Sequence, residues 1–497
     1  MIDVVLIEDI GQQRLQARTL VAALRAAGFS VRLVDFGPNH DPERVIGLVR
    51  ADPPRWVVFS VLFAHLLEPY LALAVRLGAD VPTVRLALAG PLPALARDVL
   101  LAACPAITTV LQGDLETAVV ETVGVAGERT ACADALASGG RFLRPVRDDG
   151  IPERLGFGYV TIEGSRGCWH KCTFCLPRAF YRAQPGPAYR LRSIPDLVDE
   201  IGSLHTRGAR LFLFDDEQFL PPRGRREARV RELADALERQ GLAIAFTAKL
   251  RPDDVDQALC RELKAAGLIR AYLGVESGCQ ATLELLGKGV TPADNLRALA
   301  TLDGLGIVAD FRMLMFHPWT TPESLWADLD FLRQAVPLTP TLFAYREIEL
   351  YPGTPLAERF VAQTLHVPHS HPLPYAVFDP RAELLRRIGR LVFGPRDAAG
   401  GLNDRLTSAW FDVLLLRRFG SGRRPDRVAP TPASAEIRPP DVTQLRAVVA
   451  RLNSGSLDVW ADMLDFAANA DIRDADAVNE RAAAWAGRVA AMDLMCR

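Results

Sequence analysis

Three of the chain's eight cysteines lie in one short run, Gly164-Ser165-Arg166-Gly167-Cys168-Trp169-His170-Lys171-Cys172-Thr173-Phe174-Cys175. The CxxxCxxC spacing is that of metal ligands, and three thiolates can take three irons of a cubane [4Fe-4S] cluster. The fourth iron is then open to a small molecule, which makes the site a reaction centre rather than a staple. The competing ligand set is a structural zinc ion with His170 as its fourth ligand. Cys168, His170 and Cys172 alternate too tightly for easy tetrahedral coordination, and no second CxxC pair follows. The other cysteines carry no such pattern. Cys260 falls on the apolar face of a helical stretch, Cys279 opens a predicted helix, and Cys104, Cys132 and Cys496 stand alone.

Something rigid must deliver this loop. It follows a predicted strand, Gly158–Gly164, the first of six. The others are Ala209–Asp216, Ala243–Leu250, Leu268–Ser277, Val308–His317 and Leu342–Tyr351. All but the last lead into a helical pattern, which predicts a six-stranded partial (β/α) barrel over residues 155–356 with its reactive side chains at the strand C-terminal ends. An earlier series occupies residues 1–145: Val4–Ile7, Val31–Val34, Trp56–Val61, Arg85–Ala89 and Thr108–Gln112, separated by amphipathic stretches such as Gln12–Ala27. That alternation predicts a flavodoxin-like (Rossmann-type) parallel sheet. Over residues 357–497 the alternation stops. Arg381–Phe393, Leu402–Phe419 and Val442–Leu494 read as helices, with a Pro, Arg and Ser-rich linker near 421–441. The expected fold class is α/β in three parts, with C-terminal helices covering the barrel mouth.

Further stretches follow the cysteines in a telling order. They are Leu211-Phe212-Leu213-Phe214-Asp215-Asp216-Glu217, then Leu273-Gly274-Val275-Glu276-Ser277-Gly278 with Leu285-Leu286-Gly287-Lys288-Gly289, then Glu349-Leu350-Tyr351-Pro352-Gly353-Thr354-Pro355-Leu356. Together they resemble the radical S-adenosylmethionine superfamily, in its subgroup with an N-terminal cobalamin-binding-type domain. The resemblance implies a [4Fe-4S] cluster on Cys168, Cys172 and Cys175, with S-adenosylmethionine on the open iron. Reductive cleavage of the sulfonium would give methionine and a 5′-deoxyadenosyl radical, which abstracts hydrogen from a small-molecule substrate.

The resemblance and the placement of charges on the strands together make six residues cofactor-binding candidates. Phe174 would pack near the adenine. Asp216 or Glu217 would meet the methionyl amine. Glu276, with Ser277 at the same strand end, suits that amine or the ribose hydroxyls. Arg312 lies within an apolar strand, where a charge is costly unless paired, and could clamp the methionyl carboxylate. The catalytic candidates are Lys249, which ends the third strand, and His317. The latter falls in Met315-Phe316-His317-Pro318-Trp319-Thr320-Thr321-Pro322-Glu323, where the subgroup often has a Gly-Leu-Pro-Gly-Glu type turn. His317 and Trp319 would then project near the barrel top. The alternative is that Pro318 and Pro322 build a different turn, with Thr321 capping the next helix.

Cobalamin is expected in the N-terminal sheet, beside the small-residue turns Ser60-Val61-Leu62, Ala89-Gly90-Pro91 and Gln112-Gly113-Asp114. The first turn, Glu8-Asp9-Ile10-Gly11, lacks a DxHxxG histidine, so no cobalt ligand comes from it. Cobalamin would make the reaction a methyltransferase C-methylation. Without it, a dehydratase or epimerase acting on an aminosugar-like substrate is the alternative, and a cobalamin or redox sensor is a third. Transfer-RNA methylthiolation is disfavoured, because neither a basic RNA-binding module nor a second cluster motif follows.

The net charge is −2 and the pI about 6.5, which predicts neither nucleic acid nor a membrane as partner. An acidic start and the lack of a long apolar run predict a cytoplasmic protein. The resemblance implies a low-potential electron donor such as flavodoxin or ferredoxin. Only four of the 58 basic residues are lysines, so an ordinary arginine says little about anion binding.

Overall fold

The structure, a computed structural model, describes residues 2–9, 15–124, 142–342, 345–364, 372–398, 400–420 and 442–494. The predicted linker near 421–441, with Cys132 and Cys496, lies outside them.

The N-terminal strands are mostly apolar, and Val4–Glu8 and Trp56–Ser60 are buried along their whole length because helices cover both faces of the sheet they form. Strands β1 (Val4–Glu8), β2 (Val31–Asp35), β3 (Trp56–Ser60), β4 (Arg85–Ala89) and β5 (Thr109–Val110) are all parallel, in the order β2-β1-β3-β4-β5. This is the flavodoxin-like order expected, and the chain reverses direction across the sheet between β1 and β3. Ligands of such sheets bind at the carboxyl ends beside that reversal. There the ends of β3 and β4 are drawn close, with the Val61 amide donating to Ala89 O at 2.7 Å. Gly90 adopts φ +138°, and a Cβ on it would lie 2.1 Å from Val61 O, so only glycine fits.

The second sheet contains the six parallel strands expected and one short antiparallel addition. Strand β6 (Glu153–Arg154) pairs antiparallel with β7 (Phe157–Ile162). A separate hairpin, β8 (Ser165–Gly167) and β9 (Tyr189–Leu191), follows. Then come β10 (Ala209–Phe214), β11 (Ala245–Leu250), β12 (Leu268–Glu276), β13 (Val308–Phe316) and β14 (Tyr345–Glu347), in the order β14-β13-β12-β11-β10-β7-β6. The last strand is shorter than its sequence predicts.

Side chains alternate along these strands. Phe212, Phe214, Phe246, Ala248, Ala271, Leu273, Val275 and Met313 belong to the core beneath the surrounding helices. The intervening positions, among them Leu213, Thr247, Lys249, Tyr272, Glu276 and Arg312, face the barrel interior.

The C-terminal helices do not cover the mouth as expected. Helix Leu402–Phe419 plugs the opposite end, where Trp410, Val413 and Leu414 pack on Leu211, Ala245, Ile269 and Val308 near the strand starts. Helices Pro380–Asp397, Val442–Asn469 and Ala475–Leu494 pack on the barrel's outer face. Buried Trp460 stacks on Phe393 and meets Tyr345 edge-on, with ring centroids 5.5 Å apart in both pairs. Apolar shape decides this placement, because the plug helix offers the strand starts a continuous row of large side chains. No helix among the described residues is long and apolar enough to cross a membrane.

The plug can be tested by stability. Trp410→Ala should cost about 3–5 kcal/mol in urea unfolding, the usual range for deleting a buried tryptophan. Leu391→Ala, on a side chain 64% exposed, should change stability by no more than about 0.5 kcal/mol. Equal effects from the two would show that the plug is not packed.

Candidate active site

The cysteine loop leaves the end of the β8 hairpin and enters helix Leu176–Ala183. Gly167 makes the entry possible: it takes φ +77°, and a Cβ there would lie 2.1 Å from Ala188 O. The loop is stitched to distant elements by backbone groups. The Thr173 amide donates to Leu286 O at 2.9 Å, and its hydroxyl donates to Leu285 O at 2.8 Å. The Leu356 amide in turn donates to Thr173 O at 3.0 Å, and the Trp169 indole donates to Leu220 O at 3.1 Å. Phe174, between two of the cysteines in sequence, packs against the apolar cluster that includes Leu286, Ile348 and Leu350.

All three cysteines are free and half-buried. Burial pushes the Cys168 thiol up to about 11 and the Cys175 thiol up to about 12. Bare thiolates are therefore unfavourable here, and a cationic metal group that displaces the protons suits the donor set. Among the described residues, no three His, Cys, Asp or Glu side chains are close enough together to hold one metal ion. The His170 ring lies against Trp169, and burial pushes its imidazole down to about 3.

Around the loop, Glu276 ends β12 with φ +65°, and its carboxylate pairs with Lys288 Nζ at 3.2 Å. Lys249 pairs with Asp215 at 3.0 Å and stays 42% exposed in the barrel interior. Glu217 accepts from the Gly167 amide at 2.9 Å, and burial raises its pKa.

Three other expectations need correction. Asp216 is buried and accepts from the Gly164 amide at 3.0 Å and the Ser165 hydroxyl at 2.6 Å. It fixes the turn into the hairpin, with burial pushing its carboxyl up to about 7. Ser277 is fully buried and donates to Asp328 at 2.6 Å, so it shapes the turn after β12. Arg312 is exposed rather than buried, because alternation turns it inward to the open interior. It lines a cleft beside the plug helix with Asp310, Asp397 and Trp410.

His317 follows the turn-building alternative. It is 2% exposed, its Nδ1 accepts from the Trp319 amide at 3.2 Å, and its Nε2 lies 3.4 Å from the Thr282 hydroxyl. Trp319 turns outward, with its indole donating to Gln363 and the Arg359 guanidinium 4.8 Å from its ring centre. Thr321 caps the following helix as expected. Cys260 and Cys104 are core residues.

Sequence reasoning missed Arg251 and the charges between the two sheets. Arg251 Nη1 donates to Cys172 Sγ at 3.4 Å. Arg166 pairs with Glu116 at 2.7 Å and Glu163 at 2.8 Å, and Arg190 pairs with Asp114 at 3.0 Å. Burial pushes the Glu163 carboxyl up to about 8. These groups line a cavity whose other wall is Gln16, Leu62, Pro91 and Gly113, at the carboxyl ends of the N-terminal sheet. The available signal was position: Arg251 is the first residue after β11, but the excess of arginine in the chain hid it.

Residues 162–332 match the family model of the Radical SAM superfamily. It is 28% identical over 218 residues to an uncharacterized methyltransferase of Pyrococcus horikoshii, a match covering 44% of each protein. The chain spans under half the length of the curated relatives it matches. Among solved structures, the cobalamin-dependent S-adenosylmethionine radical enzyme OxsB, with aqua-cobalamin and S-adenosylmethionine bound, aligns with a TM-score of 0.64 at 17% identity. That alignment covers 92% of this chain and 72% of OxsB. The radical S-adenosylmethionine methyltransferase TsrM of Kitasatospora setae aligns with a TM-score of 0.58 at 19% identity, over 72% of this chain and 76% of TsrM. At these identities the likeness is one of fold, and it spans the N-terminal sheet as well as the radical SAM domain in OxsB.

Burial pushes the His317 imidazole down to about 4, against 6.5 for a free ring. Between those values the unfolded chain takes up a proton that the folded chain refuses. Stability should therefore fall as pH drops from 6.5 to 4, by at most roughly 3 kcal/mol from this group, and level off below. His317→Gln should remove that part of the slope in urea titrations across the same window. An unchanged slope would mean that the ring protonates freely.

Proposed function

We propose that this protein is a radical S-adenosylmethionine enzyme that methylates carbon on a small molecule, with cobalamin held between its two sheets. The observation that carries the first half is the cysteine loop itself: three free thiols in CxxxCxxC spacing at the carboxyl end of a parallel partial barrel. Cys168, Cys172 and Cys175 would hold a [4Fe-4S] cluster. With S-adenosylmethionine bound, it would supply the 5′-deoxyadenosyl radical.

The chain's own residues bind, orient and exclude water. Lys288 holds the Glu276 carboxylate at the end of β12, where it suits an amine or ribose hydroxyls of the sulfonium cofactor. Glu217 follows β10 and accepts from the Gly167 amide at the start of the cysteine loop, and Phe174 offers an aromatic face between the cysteines. Lys249, fixed by Asp215, presents an ammonium to the interior for substrate. Tyr272 and Arg312 add an aromatic ring and a guanidinium lower down. The plug helix closes the far end with apolar side chains, which keeps water from a reactive intermediate. Electrons would come from a low-potential donor of the ferredoxin or flavodoxin kind.

Support for cobalamin comes from the cavity between the sheets. Its N-terminal wall is the small-residue turn at Gly113 together with Pro91, and among the described residues no histidine lines it. Any cobalamin there would lack a histidine ligand from the cavity wall. The OxsB likeness covers both walls.

Anaerobically reconstituted protein should carry about four irons per chain and form 5′-deoxyadenosine with a low-potential reductant. Replacing all three cysteines with alanine should abolish both. Stoichiometric zinc without iron would sink the reading. Turnover with corrinoid should also yield S-adenosylhomocysteine, and substrate conversion without corrinoid or S-adenosylhomocysteine would replace methylation by elimination or epimerisation.

Glu276→Gln should weaken S-adenosylmethionine binding about tenfold, as loss of one charge-assisted hydrogen bond does, while iron content stays at the wild-type level. Unchanged affinity in equilibrium binding would remove Glu276 from the cofactor site.

A further inference from the structure

Arg251 is held with unusual completeness for a side chain at the end of a strand. It is only 7% exposed. Its Nε donates to Asp253 at 2.9 Å, one terminal nitrogen donates to the Lys288 carbonyl, and the other reaches Cys172 Sγ at 3.4 Å. Its own amide donates to Asp254, a fully buried carboxylate that also binds Gln218 at 2.6 Å and Arg226 at 3.2 Å. The guanidinium plane therefore has no freedom to turn away from the sulfur. A planar fork can make three such bonds at once, whereas a lysine ammonium is a point charge.

The consequence is chemical as well as geometric. A buried positive charge that donates to a cluster sulfur stabilises the more negative, reduced state of the cluster. The effect is strong because few water molecules reach the site to screen it.

We propose that Arg251 is a positioning residue for the cluster, holding the Cys172 sulfur and raising the cluster's reduction potential. The proposal rests on the reading of the cysteine loop as a [4Fe-4S] site. It also links the two halves of that site. The Lys288 whose carbonyl Arg251 grips is the Lys288 whose ammonium holds Glu276.

The test uses the full chain, reconstituted anaerobically as wild type, Arg251→Gln and Arg251→Lys. Iron content is measured first, then the midpoint potential by a redox titration followed by electron paramagnetic resonance. All three proteins should carry the same iron. Arg251→Gln should be reduced about tenfold less at a fixed potential, equivalent to a fall of ~59 mV for a one-electron couple. Arg251→Lys keeps the charge but loses the fork, and should fall between the two. A glutamine variant with full iron and the wild-type potential overturns the proposal. So does one that loses iron while its remaining cluster keeps the wild-type potential, because the role is then structural only. A wild-type chain that takes up no cluster overturns the functional reading itself, an outcome distinct from both.

Discussion

The period-two alternation of side chains along β10, β11, β12 and β13 is the constraint on which the rest of the molecule depends. One row, including Phe212, Phe246, Leu273 and Met313, is apolar and covered by helices. The other row carries Lys249, Tyr272, Glu276 and Arg312 into the interior. The pairings Leu213↔Thr247 and Lys249↔Tyr272 keep like rows in line across the sheet. A slip of one residue would drive Lys249 and Glu276 into the packing layer and expose phenylalanines. Burying unpaired charges there costs several kcal/mol, so the core selects the register, and the register selects which groups meet at the mouth.

That logic explains which parts of the molecule were legible beforehand. Both parallel sheets and the cysteine loop were readable because they rest on local signals: apolar runs, small-residue turns and ligand spacing. The placement of Glu276 and Lys249 at strand ends was readable from the strand pattern alone. The errors share a different cause. Asp216 and Ser277 occupy the right strand ends, but each satisfies backbone or side-chain groups of a turn that the sequence does not display. Arg312 was placed on the correct strand, and its exposure depends on how far the barrel closes, which is a long-range property. The plug helix was found as a helix, while its location at the strand starts depends on the shape of two surfaces. Arg251 was invisible for a statistical reason, being one arginine among many, and it became visible only through its contact with Cys172.

Charge plays another part at the junction of the two sheets. Arg166 reaches Glu116 of the N-terminal unit and Glu163 of the barrel, while Arg190 reaches Asp114. Buried ion pairs of this kind contribute little net stability, because desolvation offsets most of their attraction. Their directional bonds are valuable for another reason. They fix how the carboxyl ends of one sheet face those of the other, and so determine the shape of the cavity between them. Burial is the main cause of the raised Glu163 carboxyl, and the nearby Glu116 and Glu217 add to it while Arg166 opposes it.

The conformation of Glu276 shows how local strain and the site are joined. Among the described residues, only Leu155 and Glu276 are non-glycine residues with positive φ. Such a conformation costs about 1–2 kcal/mol and persists only where the surroundings enforce it. The surroundings here are Lys288 on the carboxylate and Gly274 beneath it. A Cβ on Gly274 would stand 3.0 Å from both the Glu276 carboxylate and the Lys288 ammonium. Gly274 therefore clears the space in which the pair forms. Lys288 is held in turn through its carbonyl by Arg251, which touches the cysteine loop. The strained strand end, the buried ion pair and the thiol contact form one connected unit, in which displacing any member loosens the next. In this arrangement the carboxylate and the sulfur cannot drift independently.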